Sequence, residues 1–384
     1  MARGTLGTGR PEMTLFGKLE QISWTLVALL CVIAGAGFAM LYSAADGNLE
    51  PWASRQIIRF AVGLGAMIVI ATIDLRHWLK WAYVIYAVSI ALLIAVEWIG
   101  TVGMGAQRWI DLGVIRLQPS EVAKIALVLA LARYFHGLTL DDVRRPRALV
   151  APLAVLVLPA LLVLRQPDLG TAVMLLIGAG AIVFMAGVPM RYFAALGVVG
   201  IAAVPLAWQF MQEYQRERIM TFLNPESDPL GSGYHILQSK IALGSGGLFG
   251  RGFMQGTQSH LNFLPEHQTD FIFTMLAEEL GLVGALGLLL LYSGLLAYGV
   301  AVALRARSQF GRLLAIGVTT TLFLYVFINV AMVTGLVPVV GVPLPLISYG
   351  GTAMMTVLVA MGLLLSVYVH RDQDIRRRPG GDEP

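Results

Sequence analysis

The chain has 384 residues, of which 57% are hydrophobic and only 13% charged, and its formal net charge is +4. Soluble domains carry roughly 25% charged residues, so this composition excludes an ordinary soluble protein. The single cysteine, Cys31, excludes an intramolecular disulfide and a cysteine metal cluster.

Apolar runs of about 20 residues recur along the chain, which is the length that an α-helix needs to cross about 30 Å of hydrocarbon. The strands of a membrane β-barrel would instead show short segments of alternating polarity. The sequence therefore predicts an all-α polytopic membrane protein. About ten transmembrane helices are predicted, at residues 22–42, 53–73, 78–99, 119–137, 148–164, 169–187, 191–212, 269–300, 311–335 and 351–370.

Polar segments flank the predicted helices at both ends. Residues 1–20 are predicted to be a short cytoplasmic tail rather than a cleaved signal peptide, because the apolar run that follows has the length of a span and lacks an A-x-A-like end. Residues 371–384 are predicted to be a disordered cytoplasmic tail. The residues between the tails, 21–370, are expected to form one transmembrane domain.

Positive charges predict the orientation of the helices. With ten spans both termini share one side, and 17 of the 27 Lys and Arg residues fall on that side, which the positive-inside rule assigns to the cytoplasm. Basic residues between spans also explain the pI of about 9.2 without nucleic acid as a partner. The other cations lie on the extracytoplasmic side, where the rule disfavours them, so an anionic ligand is expected at the outer leaflet.

Two extracytoplasmic connections are rich in polar residues. Residues 100–118 alternate polar and apolar positions and are predicted to form an interfacial hairpin. Residues 213–268, between the seventh and eighth helices, form the only long predicted loop, and loops of this length are usually functional or disordered. Its aromatic and aliphatic residues argue against disorder, so it is expected to re-enter the membrane or to lie along its surface.

A third connection, residues 336–350, precedes the tenth helix. A helix cannot continue through its prolines and glycines, so the segment is predicted to be a broken re-entrant element that is buried in protein or lines a cavity. The residues that break the helix are Pro338, Gly341, Pro343, Pro345 and Gly350.

Asp270 stands where the polar start of residues 262–281 turns directly into the apolar eighth helix. A carboxylate at the threshold of a membrane helix is costly to keep there, so Asp270 is a candidate functional residue. A simpler role is that Thr269 and Asp270 only cap the helix. The P-loop and HExxH motifs of soluble enzymes are absent from the sequence.

Four segments of the chain resemble the SEDS family of bacterial cell-wall synthesis proteins. They occur in the family's order and span nearly the whole chain, and the first and third resemble the elongation branch of the family more than the division branch. The segments are QRWIDLGVIRLQPSEVAK at 107–124, QPDLGT at 166–171, GTQSHLNFLPEHQTDFIFTMLAEELG at 256–281 and PLPLISYGG at 343–351.

The resemblance implies a peptidoglycan glycosyltransferase of the bacterial inner membrane, which polymerises lipid II outside the membrane during cell elongation. It also implies a complex with a class B penicillin-binding protein, the transpeptidase that crosslinks the new strands. The chain departs from the family pattern at one point. The family has His directly before the Thr-Asp pair, whereas this chain has Gln268 there and His267 one position earlier, so the family's role for that histidine does not transfer directly.

Lipid II carries a disaccharide-peptide on undecaprenyl pyrophosphate, and its polymerisation needs a base for the incoming sugar hydroxyl. Asp270 is the predicted general base, which takes the proton of the acceptor GlcNAc 4-hydroxyl during an inverting attack on the donor MurNAc anomeric carbon. Partial desolvation would raise the pKa of Asp270, whereas the N-terminal dipole of the eighth helix would lower it. The sequence alone leaves both effects open.

The departing pyrophosphate requires cations. Arg108, Lys124 and Arg165 are the candidates, because Arg binds phosphate through two N–H groups and Lys supplies a point charge. Glu121 lies about one turn from Lys124, so a local ion pair is the alternative role for that lysine. For Arg108 and the neighbouring Trp109, the alternative is an anchor at the membrane interface.

Further polar residues complete the predicted substrate-binding site. Five more residues are expected to bind substrate: Trp109, Glu121, Glu266, His267 and Ser348. Ser348 has the alternative role of satisfying backbone groups in the broken element. Asp168 is expected to pair with the lysine or to bind a metal, and its simpler role is to cap the sixth helix. A Mg²⁺ or Mn²⁺ ion held by Asp270 and Asp168 is a further prediction, since such ions bridge carboxylates and phosphates.

Two other functions fit the same residues. One is a flippase or transporter for a lipid-linked sugar, which would use the same cavity and cations without forming a bond. The other is a non-catalytic scaffold for the class B penicillin-binding protein. The three functions differ in what the loss of Asp270 does to glycan strand synthesis.

Overall fold

The computed structural model describes residues 14–103, 106–111, 113, 116–211, 213–224, 232–260 and 266–375. The first half of this part of the chain forms α1 (Leu15–Glu20), α2 (Trp24–Ala44), α3 (Ala53–Thr72), α4 (Leu75–Ile99), α5 (Pro119–His136), α6 (Leu140–Val143), α7 (Val150–Arg165), α8 (Leu169–Met185) and α9 (Met190–Phe210). The second half forms α10 (Glu213–Leu223), α11 (Ser232–Ser245), α12 (Thr257–His260), α13 (Ile272–Arg305), α14 (Gln309–Val333) and α15 (Gly351–Val369). A 3₁₀ turn, Pro146–Leu149, leads into α7.

Each of the ten predicted helices has a counterpart, namely α2 to α5, α7 to α9 and α13 to α15. Among the described residues, seven helices are long and apolar enough to cross a membrane: α2, α3, α4, α7 with its preceding turn, α13, α14 and α15. The apolar stretches of α8 and α9 are shorter. The tenth counterpart, α5, is 18 residues long and is less apolar, because it carries three charged residues, Glu121, Lys124 and Arg133.

The core lies around α14, which packs against α5, α8, α13 and α15. α15 also packs closely on α3, and a glycine on each helix makes this approach feasible. A Cβ on Gly63 would clash with Leu358, and a Cβ on Gly362 would lie 2.9 Å from Ile70. Small residues are the usual means by which membrane helices come into close contact, because lipid provides no hydrophobic force between them.

Both predicted tails fall largely outside the described residues, at 1–13 and 376–384. Within the first of them α1 forms a short helix, and Thr14 caps it by accepting a hydrogen bond from the N–H of Gly17 at 3.3 Å. The predicted hairpin at 100–118 is a three-stranded antiparallel sheet of β1 (Thr101–Gly103), β2 (Ala106–Asp111) and β3 (Arg116–Leu117).

The long connection 213–268 is not a loop without helices, because α10, α11 and α12 lie within it. α10 was not predicted, since its helix-forming Glu, Gln, Arg, Met and Leu residues form no apolar run. α11 packs against α13 and α14. Its Ser239 is fully buried, and the hydroxyl donates to the carbonyl of Val333 at 2.7 Å.

α13 is broken at Gly281, where φ is 69° and ψ is −168°. A long apolar run predicted one continuous helix, but a second stretch of backbone fills the break. Four hydrogen bonds of 2.9 to 3.1 Å join the two segments, between Arg251 and Glu278, Gly252 and Glu279, Leu282 and Gly247, and Val283 and Leu248. The glycine-rich part of the long connection is therefore built into α13 rather than left on its surface.

Two buried carboxylates secure the same junction. Glu279 accepts hydrogen bonds from Ser43 Oγ at 2.6 Å and from the N–H of Met254 at 3.1 Å. Glu278 accepts from the N–H of Gln258 at 3.0 Å. Both side chains are at most 1% exposed, and backbone N–H donors compensate for burial of the acids.

Gly250→Ala is expected to destabilise the protein by about 1 to 3 kcal/mol or more, because its φ of +80° is strained for any residue with a Cβ. The new methyl group would also collide with the carbonyl of Glu279. Gly287→Ala in α13 is the matched control, since no atom lies within 4 Å of its Cβ position. The midpoint of thermal unfolding of both variants in detergent measures the difference, and equal midpoints would contradict the role given to Gly250.

The segment 336–350 contains no helix, as its prolines and glycines predict, and its second half is buried. Gln56 of α3 holds its end by donating from Nε2 to the carbonyl of Ser348 at 2.9 Å and accepting from the N–H of Gly350 at 3.5 Å. The hydroxyl of Tyr292 donates to the carbonyl of Pro345. Side chains thus satisfy backbone groups that a helix would pair internally.

Candidate active site

Asp270 lies in the turn directly before α13 and is partly buried. Burial and the neighbouring Glu266 carboxylate raise its pKa to about 6, and the positive charge of Arg218 on α10 partly opposes them. Desolvation is therefore stronger than the effects that favour the charged form. The N-cap of α13 is Phe271 without a side-chain hydrogen bond, so the geometry gives Asp270 no capping role.

The turn that carries Asp270 is joined to the segment 336–350. Ser348 Oγ donates to the carbonyl of Thr269 at 2.6 Å and accepts from the N–H of Leu344 at 2.7 Å. The N–H of Tyr349 donates to the carbonyl of Gln268 at 2.9 Å. Ser348 therefore lies beside the candidate base, with its hydroxyl engaged by the backbone.

Gly341 lies against the carboxylate of Asp270. A Cβ built on this glycine would be 3.2 Å from Asp270 Oδ2, and its φ of +70° is one that other residues rarely adopt. Asn329 of α14 connects the same two elements, since its Nδ2 donates to the carbonyl of Asp270 at 2.9 Å and to that of Val342 at 2.7 Å.

A buried polar cluster lies one turn from Asn329 on α14. Lys124 Nζ donates to Glu121 Oε1 at 2.7 Å and to the hydroxyl of Tyr325, which in turn donates to Glu121. Lys124 and Glu121 are 4% and 3% exposed. The local ion pair considered from the sequence is thus present, and it uses two of the three donors of the lysine ammonium.

Arg108 of β2 holds the turn before α8. Its Nε donates to the carbonyl of Gln166 at 3.0 Å, its Nη2 donates to that of Pro167, and its Nη1 lies 3.9 Å from Asp168 Oδ2. Asp168 caps α8 by accepting from the N–H of Thr171 at 3.1 Å and from its hydroxyl at 2.9 Å. The structure therefore pairs Asp168 with Arg108, whereas Lys124 pairs with Glu121.

The remaining predicted residues have separate surroundings. His267 is buried, and its ring meets that of Trp52 edge to face at 5.8 Å between centroids. Trp109 lies half-buried in β2, opposite Thr101 in the sheet. Arg165 lines a different groove of about 630 Å³, formed by leucines of α7 together with Gln215 of α10.

Within the described residues, no group of three or more His, Cys, Asp and Glu side chains is placed to hold a metal ion. The carboxylate of Asp168 is engaged by Thr171 and has a guanidinium beside it, so it does not fit a metal ligand. The Glu266 carboxylate lies close enough to Asp270 to raise its pKa. These two carboxylates fit a divalent cation only if phosphate oxygens and water complete its coordination.

The site also includes three residues that were not predicted from the sequence: Asn329, Tyr325 and Gly341. A signal was present for the first two, because a polar amide and a hydroxyl stand within the apolar run 311–335. Polar residues within membrane helices are functional candidates, as the ionisable ones are. Gly341 is recognisable from the sequence as a helix breaker, whereas its nearness to Asp270 follows from tertiary packing.

Comparisons with known proteins match this arrangement over nearly the whole chain. The family model described as "Cell cycle protein", named for FtsW, RodA and SpoVE, matches residues 19–373. The peptidoglycan glycosyltransferase MrdB of Escherichia coli K12 is 44% identical over 367 residues, which is 95% of this chain and 98% of MrdB. Stage V sporulation protein E of Bacillus subtilis is 36% identical over 351 residues, or 89% and 95% of the two chains.

Two solved structures share the fold. A chain of a peptidoglycan synthase complex, described for the structural coordination of polymerization and crosslinking, has a TM-score of 0.80 and 33% identity, covering 92% of this chain and 99% of that one. The rod shape determining protein RodA of Thermus thermophilus has a TM-score of 0.70 and 32% identity, covering 92% and 98%. The chain therefore belongs to the FtsW, RodA and SpoVE family of cell cycle proteins, which is the SEDS family that its four sequence segments resemble.

Proposed function

We propose that this chain polymerises lipid II into glycan strands, as a peptidoglycan glycosyltransferase of cell elongation in which Asp270 is the general base. The activity is the one named for MrdB, with which the chain is 44% identical. One observation carries the choice of base: Asp270 is partly buried before α13, and its pKa is raised to about 6. A base with this pKa is deprotonated at neutral pH and accepts a proton more readily than an exposed carboxylate.

The reaction is an inverting displacement. Asp270 takes the proton of the acceptor GlcNAc 4-hydroxyl while that oxygen attacks the anomeric carbon of the donor MurNAc. The α bond from that carbon to the pyrophosphate breaks as the β-glycosidic bond forms, and undecaprenyl pyrophosphate leaves with the electron pair. The proton then passes from Asp270 to solvent, so the reaction needs one base and no covalent intermediate on the protein.

Three cations are assigned to the leaving pyrophosphate in this proposal. Arg218 is close enough to affect the pKa of Asp270, and Lys124 keeps one donor that its two partners do not use. Arg165 borders a groove whose leucine face fits a polyprenyl chain with a phosphate beside the guanidinium. We assign Arg108 a positioning role, since it holds the turn before α8.

A divalent cation remains part of the proposal. Asp270 and Glu266 would hold it together with pyrophosphate oxygens and water, and Mg²⁺ suits such a mixed set of ligands. When bound, the cation would supply positive charge for the leaving group. Asp168 is left out of this set because it caps α8 and pairs with Arg108.

The protein is a multi-pass inner-membrane protein, and we propose ten spans with both termini in the cytoplasm. In this orientation the site residues of α5, α8, α14 and the segment 336–350, together with the turn before α13, face the periplasm, where lipid II is polymerised. A solved relative belongs to a synthase complex that couples polymerization with crosslinking, which supports a penicillin-binding protein partner. We propose that this partner is a class B transpeptidase.

Purified protein in complex with its transpeptidase partner, given lipid II, tests the function directly. Glycan strands on a gel are the expected product, and their loss with a chelator and return with Mg²⁺ would support the cation. Movement of lipid II across liposomes without strands would instead identify a flippase. Strands that form equally well after Asp270 is removed would fit a scaffold with another enzyme present.

Two charge changes should move the pH dependence of polymerisation in opposite directions. The base acts when deprotonated, so the rate should fall as the pH falls through about 6. Glu266→Gln removes a charge that raises the pKa of Asp270, so this acidic limb should move to lower pH. Arg218→Gln removes a charge that lowers it, so the limb should move to higher pH.

Initial rates of polymerisation between roughly pH 5 and pH 8, the range around the pKa of the base, locate the acidic limb of each variant. Glu213→Gln, an exposed acid of α10, is the control and should leave the limb in place. Limbs that move in the same direction, or not at all, would contradict the assignment of the titrating group to Asp270.

A further inference from the structure

Asn329 lies in α14, four residues from the end of the helix, and is fully buried. Its Nδ2 donates two hydrogen bonds, to the carbonyl of Asp270 at 2.9 Å and to the carbonyl of Val342 at 2.7 Å. Both bonds leave the helix, and they end on two different elements. One element is the turn before α13, and the other is the segment 336–350.

Chemistry fixes the orientation of this amide. Both neighbours are carbonyl acceptors, so only the NH₂ end of the side chain can face them. The oxygen, Oδ1, is buried without a hydrogen-bond partner among the described residues. Burying Oδ1 without a partner costs free energy, which offsets part of the stability that the two hydrogen bonds of Nδ2 contribute. Stability alone is therefore a weak reason for an asparagine at this position.

The two bonded carbonyls belong to the turn that carries Asp270 and to the segment that contacts its carboxylate. One belongs to Asp270 itself, and the other belongs to Val342, the residue after Gly341. A Cβ on Gly341 would lie 3.2 Å from Asp270 Oδ2, so this glycine leaves that face of the carboxylate open. The amide of Asn329 therefore sets the separation between the base and the backbone that borders it.

We propose that Asn329 is a positioning residue for glycosyl transfer, which holds the Asp270 carboxylate against the open backbone at Gly341 where the acceptor hydroxyl enters. The inference rests on the proposed function of Asp270. Loss of the amide removes the bridge between Asp270 and Val342, whereas the bonds to Thr269 and Gln268 remain. The carboxylate is then held less firmly, and a base displaced by about 1 Å lowers the rate about 100-fold. Lipid II binding depends on other contacts, so its affinity should change little.

Gln56 provides a matched control. Like Asn329 it is a fully buried amide that bonds to the backbone of 336–350, but its partners are Ser348 and Gly350 rather than Asp270. Asn329→Leu and Gln56→Leu therefore remove equivalent side chains from the same segment. Both should lower the thermal midpoint, whereas only Asn329→Leu should lower kcat, by about 100-fold with KM for lipid II unchanged.

The experiment measures kcat, KM and the thermal midpoint for the full chain in complex with its transpeptidase partner. Asn329→Ser, which keeps a donor too short to reach both carbonyls, replaces Asn329→Leu if the leucine variant fails to fold, and the same kcat loss is expected. A kcat that stays normal in the Asn329 variants, or that falls equally in Gln56→Leu, would overturn the proposal. Asp270→Asn is assayed beside them, because an active Asp270→Asn enzyme would overturn the general base itself, whereas an inactive one with an active Asn329→Leu overturns only the positioning role.

Discussion

Replacement of Asp270 by alanine is expected to lower lipid II polymerisation by about 10²- to 10⁴-fold, which is the range that a positioned general base contributes.

The fold of the Asp270→Ala variant should survive, because α13 uses Phe271 as its N-cap without a side-chain bond and so loses no cap. The folded pKa of about 6 also lies above that of an unfolded aspartate. Above pH 6 or so the charged carboxylate therefore lowers the free energy of unfolding. This cost decreases as the pH falls through the folded pKa, and it is absent below the pKa of the unfolded chain. The variant should accordingly unfold at no lower temperature at neutral pH.

Three measurements on Asp270→Ala separate its roles. Strand synthesis should be lost, lipid II binding should persist, and the thermal midpoint should not decrease. Glu50→Ala, which removes an exposed acid from the connection between α2 and α3, should leave all three unchanged. Synthesis at the unmodified rate would show that Asp270 is not the base, and a parallel loss of binding would show that it acts in substrate recognition.

The helices could be predicted from sequence because hydropathy and length determine them in a membrane protein. The breaks within 336–350 were equally accessible, since Pro338, Pro343 and Pro345 cannot continue a helix. The break in α13 at Gly281 could not be predicted in this way, because it depends on the backbone of residues 246–252, about 30 positions earlier in the chain. A single glycine in an apolar run carries no sign of such a partner.

The candidate site was predictable where a residue type is costly in a membrane. Asp270, Glu121, Lys124 and Asp168 stood out as ionisable groups at or within apolar runs. Their ion pairs were harder to predict, since Asp168 was expected to pair with Lys124 and instead pairs with Arg108 of β2. Spacing along one helix predicts i,i+3 partners, whereas pairing between elements depends on how the helices pack.

The sequence leaves two roles open for Lys124, an ion pair with Glu121 and the binding of a phosphate. Lys124→Met is expected to destabilise the protein by about 3 to 5 kcal/mol, because it leaves the Glu121 carboxylate buried without its cation. Both side chains are almost fully buried, so water cannot replace the lost partner. The double variant Glu121→Gln with Lys124→Met removes both charges and should recover most of the thermal midpoint.

Activity of the double variant then decides between the two roles of the lysine. Two donors of the ammonium are used by Glu121 and Tyr325, and we expect the third to contact the pyrophosphate. A hydrogen bond from a charged donor contributes about 1.5 to 3 kcal/mol, so a folded double variant should polymerise lipid II on the order of 10- to 100-fold more slowly. Recovery of both stability and rate would show that Lys124 only neutralises Glu121, and the leaving group would then depend on Arg218 and Arg165.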